Sequence, residues 1–112
     1  MSEVFFTIVI PTKNRADTLR YSLQSALSQS YNNYRIIVSD NFSQDNTHDL
    51  VASFDDPRIT YVNPGRRLSM SSHWEFALSS IHHGMVTILG DDDALLPNAL
   101  SKVNHLIDQT GA

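Results

Sequence analysis

Val4-Phe5-Phe6-Thr7-Ile8-Val9-Ile10-Pro11 is the stretch that decides the fold of this chain. It is nearly continuous apolar and β-branched, and Pro11 closes it. A strand with one face in water alternates polar and apolar residues. An unbroken run marks a strand covered on both faces, as in a parallel sheet packed between helices.

Outward from this run, strand-like and helix-like segments alternate. Asp17-Thr18 can cap a helix carrying Leu19, Leu23, Ala26 and Leu27 at helical spacing. Residues 34–39 read as a second strand, and Asn46 precedes a short helix with Leu50, Val51 and Phe54 facing inward. Asp55-Asp56-Pro57 is a turn before a third strand at 59–62, which Asn63-Pro64-Gly65 ends. Ser72-x-x-Glu75 fits a capping box. Trp74, Ala77, Leu78 and Ile81 follow as the apolar stripe of a third helix, with Trp74 read as core ahead of ligand stacking. Residues 85–89 form the fourth strand. Pro97 suits the first turn of a last helix whose apolar face is Leu100, Val103, Leu106 and Ile107. Four β-α units predict one α/β domain, an open and mostly parallel sheet flanked by helices and joined by right-handed crossovers.

With 112 residues and 41% hydrophobic content, the chain can bury most of its apolar surface as a single domain. A net charge of −4 with no Lys/Arg cluster argues against a nucleic-acid partner. The absence of cysteine excludes disulfides, thiolate metal sites and a cysteine nucleophile, and fits a reducing compartment. Met1-Ser2-Glu3 lacks the basic start of a signal peptide, and no apolar stretch is long enough to span a bilayer. The expected location is the cytoplasm.

In open α/β sheets ligands bind beyond the carboxyl ends of the strands. Here those ends lead into residues 11–15, 40–45, 63–67 and 90–93, all polar, charged or turn-forming. The last segment contains Asp91-Asp92-Asp93. Two unit charges about 5 Å apart repel by roughly 3 kcal/mol at an effective dielectric near 20. A divalent cation turns that cost into attraction, and carboxylates completed by phosphate oxygens suit Mg²⁺ or Mn²⁺. A solvated acidic turn is the competing reading; four such segments on one rim favour a site. There is no P-loop, no Gly-x-Gly-x-x-Gly after the first strand and no Gly-x-Ser-x-Gly elbow. Ile10-Pro11-Thr12 lacks the Asp of an aspartyl-phosphate enzyme. His48, His73, His82, His83 and His105 lack metal-ligand spacing, and Asn14, Asp17 and Asp45 can cap helices as readily as touch a ligand.

Three runs carry a family resemblance. Thr7-Ile8-Val9-Ile10-Pro11-Thr12-Lys13-Asn14-Arg15 resembles the opening strand and loop of family 2 glycosyltransferases of the GT-A fold. The stretch from Ile36 to Thr47, with Asp40-Asn41-Phe42-Ser43-Gln44-Asp45 at its centre, resembles their second-strand signature. Ile88-Leu89-Gly90-Asp91-Asp92-Asp93, with Pro97 downstream, resembles their Asp-x-Asp motif. The order and spacing agree over essentially the whole chain.

The resemblance implies a Rossmann-like half that binds a nucleotide-diphosphate-sugar, a UDP- or dTDP-sugar, with Mn²⁺ or Mg²⁺. Pro11, Thr12, Asn14 and Arg15 would line base and ribose, and Asp40 would accept a hydrogen bond from the base. Arg66 or Arg67 would contact base or phosphate. Asp91 and Asp92 would approach ribose and metal, with Asp91 and Asp93 as metal ligands; the register of the motif within the triplet stays open by one position. Relatives are usually much longer, and their second half carries the acceptor pocket and, in inverting enzymes, a general base. Residues 1–112 are thus expected to be the N-terminal donor-binding part, without the acceptor-binding half. The chain alone is expected to be inactive, with an exposed sheet edge through which a homodimer can form. The acceptor is expected to be a saccharide or lipid-linked, and a longer parent protein could be peripheral to the membrane. The alternative is a non-catalytic nucleotide-binding or interaction module of the same fold.

Overall fold

A computed structural model describes residues 4–110 of the chain. Met1, Ser2, Glu3, Gly111 and Ala112, on which the readings of the two termini rest, lie outside the described residues. Four strands alternate with four helices: β1 (Phe6–Thr12), α1 (Ala16–Leu27), β2 (Tyr34–Asp40), α2 (Thr47–Ser53), β3 (Ile59–Val62), α3 (Met70–Leu78), β4 (Met85–Ile88) and α4 (Ala99–Thr110). The sheet order is β3-β2-β1-β4 and every pairing is parallel. The chain therefore builds outward from β1 to β3, then returns to the other side of β1 for β4. That reversal makes the β1–β4 seam the switch point where a crevice opens beyond the strand ends.

The two central strands hold the core. Ile8, Val9, Ile10, Ile36, Ile37 and Val38 are buried on both faces of the sheet, with Leu19, Leu23 and Ala26 of α1 packed against it. This agrees with the unbroken apolar runs. β1 continues through Pro11 to Thr12 instead of stopping at the proline. Odd-numbered positions of β1 face β4, as the bonds of the Phe5 and Val9 carbonyls to Met85 and Leu89 amides show. The β4 register ends at Val9–Ile88. Pro11 thus faces the side where the ladder has already opened, and its missing N–H costs no bond.

Helix starts differ from the expected ones. α1 begins at Ala16, whose amide donates to the Asp45 carboxylate at 3.2 Å. Asp45 also accepts from the backbone and hydroxyl of Thr47 at the head of α2, so one carboxylate serves two helix N-termini. Burial pushes the Asp45 carboxyl up, but these hydrogen bonds outweigh it and hold it below its ordinary value. α3 is capped by Ser69, whose hydroxyl accepts from the Ser72 amide at 3.3 Å, so the Ser72–Glu75 box does not form the cap. Its buried positions are His73 and Ala77, and Trp74 is only half-buried. Ile81 lies beyond the helix end. α4 starts at Ala99, after a turn containing Pro97.

β4 is an open edge, with Met85, Val86 and Ile88 exposed by 43%, 41% and 45%. Among the described residues no helix is long and apolar enough to cross a membrane.

Candidate functional site

The seam between β1 and β4 closes on the Leu89 amide, which donates to the Val9 carbonyl at 2.9 Å. Beyond it the strands part. Thr12, the last residue of β1, donates its hydroxyl to the Asp91 carboxylate at 2.9 Å. Arg15 follows on the same loop, with Nε 3.9 Å from one Asp91 oxygen and a terminal nitrogen 3.7 Å from an Asp92 oxygen. Two carboxylates of the triplet therefore converge on one guanidinium at the switch point. The Arg15 and Asp92 side chains are 54% and 58% exposed and Asp91 15%, so each contact is worth under about 1 kcal/mol and yields readily to another cation.

Asp93 is placed differently. Its amide closes a turn onto the Gly90 carbonyl at 3.1 Å, and its carboxylate lies over Gly90 where a Cβ would stand. The buried hydroxyl of Ser22 on α1 reaches the carbonyls of Gly90 and Asp93 at 3.1 and 2.5 Å. Ser22 thus fixes the acidic turn on the helix below it. The sequence signal for it was a serine on the apolar face of α1, between Leu19 and Leu23.

The Asp40 carboxylate at the tip of β2 is 1% exposed and fully engaged. One oxygen accepts from the Ser43 amide at 3.0 Å and its hydroxyl at 2.5 Å, and the other from the Tyr61 hydroxyl at 2.6 Å. Burial first, with the Asp40 carboxylate adding to it, pushes the Tyr61 phenol up to about 12. Asn14, with φ of 54°, ties two loops together. Its amide donates to the Ser43 hydroxyl at 2.7 Å, and its side-chain oxygen accepts from the Gln44 amide at 2.6 Å. Arg66 and Arg67 are exposed on the segment between β3 and α3.

A cavity of about 270 Å³ lies between these strand tips and α3. Pro11, Thr12, Lys13, Arg15, Asn41 and Asp91 form its floor and one rim; Met70, His73 and Trp74 of α3 form the opposite wall. It brings together Pro11, Thr12, Arg15 and Asp91 of the expected residues, while Asn14, Asp40, Asp92, Asp93, Arg66 and Arg67 stand outside its lining. A hollow of about 320 Å³ at the β3 edge, lined by His48, Asp56 and Tyr61 among others, touches none of the strand-tip carboxylates. His73 was not expected here, and Trp74 was expected in the core ahead of ligand stacking. His73 is buried and its Nε2 lies 2.9 Å from the Ser39 hydroxyl.

The open parallel sheet, with an acidic strand tip at its switch point, has the architecture of GT-A glycosyltransferases. Residues 7–112 match the sequence model described as "Glycosyl transferase family 2", and the chain belongs to that family. It is 35% identical over 98 residues to a GalNAc(5)-diNAcBac-PP-undecaprenol beta-1,3-glucosyltransferase of Campylobacter jejuni, covering 85% of this chain and 32% of the relative. It is 29% identical to the UDP-Glc:alpha-D-GlcNAc-diphosphoundecaprenol beta-1,3-glucosyltransferase WfgD of Escherichia coli, covering 89% of this chain and 40% of the relative. Its fold superposes on S. aureus TarS 1-349 in complex with UDP-GlcNAc with a TM-score of 0.85 at 19% identity, covering 94% of this chain and 31% of that one. It also superposes on the mannosyltransferase PcManGT from Pyrobaculum calidifontis in complex with GDP-Man and Mn²⁺, with a TM-score of 0.77 at 25% identity, covering 95% of this chain and 32% of that one. The chain spans roughly a third of the length of the curated relatives it matches.

Proposed function

We propose that the β1–β4 switch point binds a nucleotide-diphosphate-sugar, a UDP- or dTDP-sugar, together with Mn²⁺ or Mg²⁺, for glycosyl transfer. The observation that carries this reading is the convergence of the Asp91 and Asp92 carboxylates on the Arg15 guanidinium. Relatives named for undecaprenol-linked acceptors and structures holding UDP-GlcNAc, or GDP-Man with Mn²⁺, support it. The acceptor by the same analogy is a saccharide or lipid-linked saccharide.

The residues fit a hard divalent cation. Asp91 and Asp92 offer oxygen donors already gathered around positive charge. No group of three or more His, Cys, Asp or Glu that could hold a metal occurs among the described residues. Such a site supplies one or two carboxylates and leaves the other positions to phosphate and water, as Mg²⁺ and Mn²⁺ sites do. Bound there, the cation would neutralise charge on the departing diphosphate. Thr12 orients Asp91, and Ser22 holds the turn that presents Asp92. Arg15, released from the carboxylates, turns its planar donors to a phosphate. Asp93 would reach the metal only by leaving Gly90, so we place the ligands at Asp91 and Asp92. Asp40 acts by holding the β2 loop through Ser43, and at 1% exposure its carboxylate is closed off from a base.

A specific observation favours a narrower activity for this chain alone. Asp91 and Asp92 are assigned to the cation, and the buried Asp40 is held by Ser43 and Tyr61, so none of these three is assigned to proton transfer. We therefore expect donor binding without transfer from residues 1–112. Titration calorimetry with UDP tests the reading. Binding should require Mn²⁺ and weaken at least tenfold in Asp91→Asn and in Asp92→Asn, with a smaller loss in Asp93→Asn. UDP affinity unchanged by metal and by these substitutions would overturn it.

A further inference from the structure

Trp74 has no assigned role, and its placement calls for one. The stripe Trp74–Ala77–Leu78–Ile81 would have put it in the core. The helix instead buries His73 and Ala77, and Trp74 turns half-exposed into the cavity wall opposite Pro11 and Arg15.

Two polar side chains of that cavity are tied to the protein. The Asn41 side chain donates to the Leu68 carbonyl at 2.9 Å and accepts from the Leu68 amide at 2.8 Å. The His73 Nε2 is taken by Ser39 at 2.9 Å. Trp74, Met70 and Pro11 give the cavity its apolar surface, beside the Lys13 and Arg15 cations and the Asp91 carboxylate. At about 270 Å³ the cavity falls below the roughly 300–1,000 Å³ that encloses a whole drug-sized ligand, so it takes one moiety of a donor. A sugar ring needs partners for its hydroxyls. A nucleobase is planar, uncharged and apolar on both faces, and stacks on an aromatic ring whatever its sequence of ring atoms.

Resting on the donor-site reading above, we infer that Trp74 is the stacking face for the donor's nucleobase. The base enters the inner cavity against the indole, the diphosphate lies at the rim beside Arg15 and Asp91, and the sugar projects outward over Asp92.

Trp74 is the chain's one tryptophan, so its intrinsic fluorescence reports on this contact directly. With Mn²⁺ present, UDP should quench that fluorescence, saturating at the affinity measured by calorimetry. UDP-glucose should quench no further, and inorganic pyrophosphate, which lacks a base, should bind without quenching. Trp74→Leu should weaken UDP about tenfold while leaving pyrophosphate binding unchanged, and Trp74→Phe should restore most of the loss. Three results would overturn the inference while leaving the donor site standing: unquenched UDP binding, equal UDP affinity in Trp74→Leu, or quenching that needs the sugar. Absence of any UDP binding by calorimetry would overturn both.

Discussion

His73 sits with its ring against the end of β2, and a titration consequence follows from that position. Burial holds its imidazole below the ordinary histidine value of 6.5, against the opposing pull of the Ser39 hydrogen bond and the Asp40 charge. The folded chain therefore keeps His73 neutral where the unfolded chain begins to take up a proton. Its stabilising contribution is complete above about pH 6.5 and is lost as pH falls below that value. The urea midpoint should drop between pH 7 and pH 5, and His73→Gln should flatten that dependence; an equally steep slope in the variant would contradict the assignment. His73 was not legible as a site residue, and Trp74 was legible only as the weaker alternative to a core side chain. Ligand spacing asks whether histidines can share a metal, and it is blind to a serine 34 residues away. Helical periodicity found Ala77 on the buried face of α3 but took Trp74 for its partner, where the structure buries His73. Thr12, Arg15 and Asp91 were legible, because strand ends in a parallel sheet are known to converge before any contact is seen.

At the level of elements, the strand before the acidic turn depends on Gly84. It has φ of 83°, and a Cβ there would collide with the carbonyl oxygen of Phe5, which also accepts the first β4 bond from Met85 at 2.9 Å. Strain of about 1–2 kcal/mol for a left-handed alanine adds to the cost of moving β1 from β4. Gly84→Ala should destabilise the chain by at least about 2 kcal/mol in urea unfolding. Gly65→Ala is the control: its φ is also positive, at 78°, but nothing lies within 4 Å of an added Cβ, so only the backbone strain of about 1–2 kcal/mol applies. Equal effects at the two glycines would show that the Phe5 contact is unimportant. All four strands and all four helices were foreseen, since uninterrupted β-branched runs and amphipathic stripes report burial directly. Their ends were less so. The start of α1 is set by Asp45 from another loop, and the passage of β1 through Pro11 depends on where β4 stops pairing.

Over the whole molecule, strand order is what the sequence leaves open and what makes the site. Placing β4 beside β1 brings Thr12 within 2.9 Å of Asp91 across 79 residues of chain. The same order leaves β4 as an edge with Met85, Val86 and Ile88 exposed, and unpaired edges of this kind template pairing with a second copy. Sedimentation velocity should show concentration-dependent association that Val86→Lys abolishes; a strictly monomeric wild-type chain would contradict this. In the proposed site a metal and a nucleotide diphosphate meet at the β1–β4 seam. Substoichiometric Mn²⁺ added with UDP to the ¹⁵N-labelled chain tests it most directly through paramagnetic broadening of amide resonances. Thr12, Arg15, Asp91 and Asp92 should broaden first, and Asp91→Asn should remove the effect. Broadening centred on Asp55 and Asp56, or none beyond that of free Mn²⁺, would contradict it.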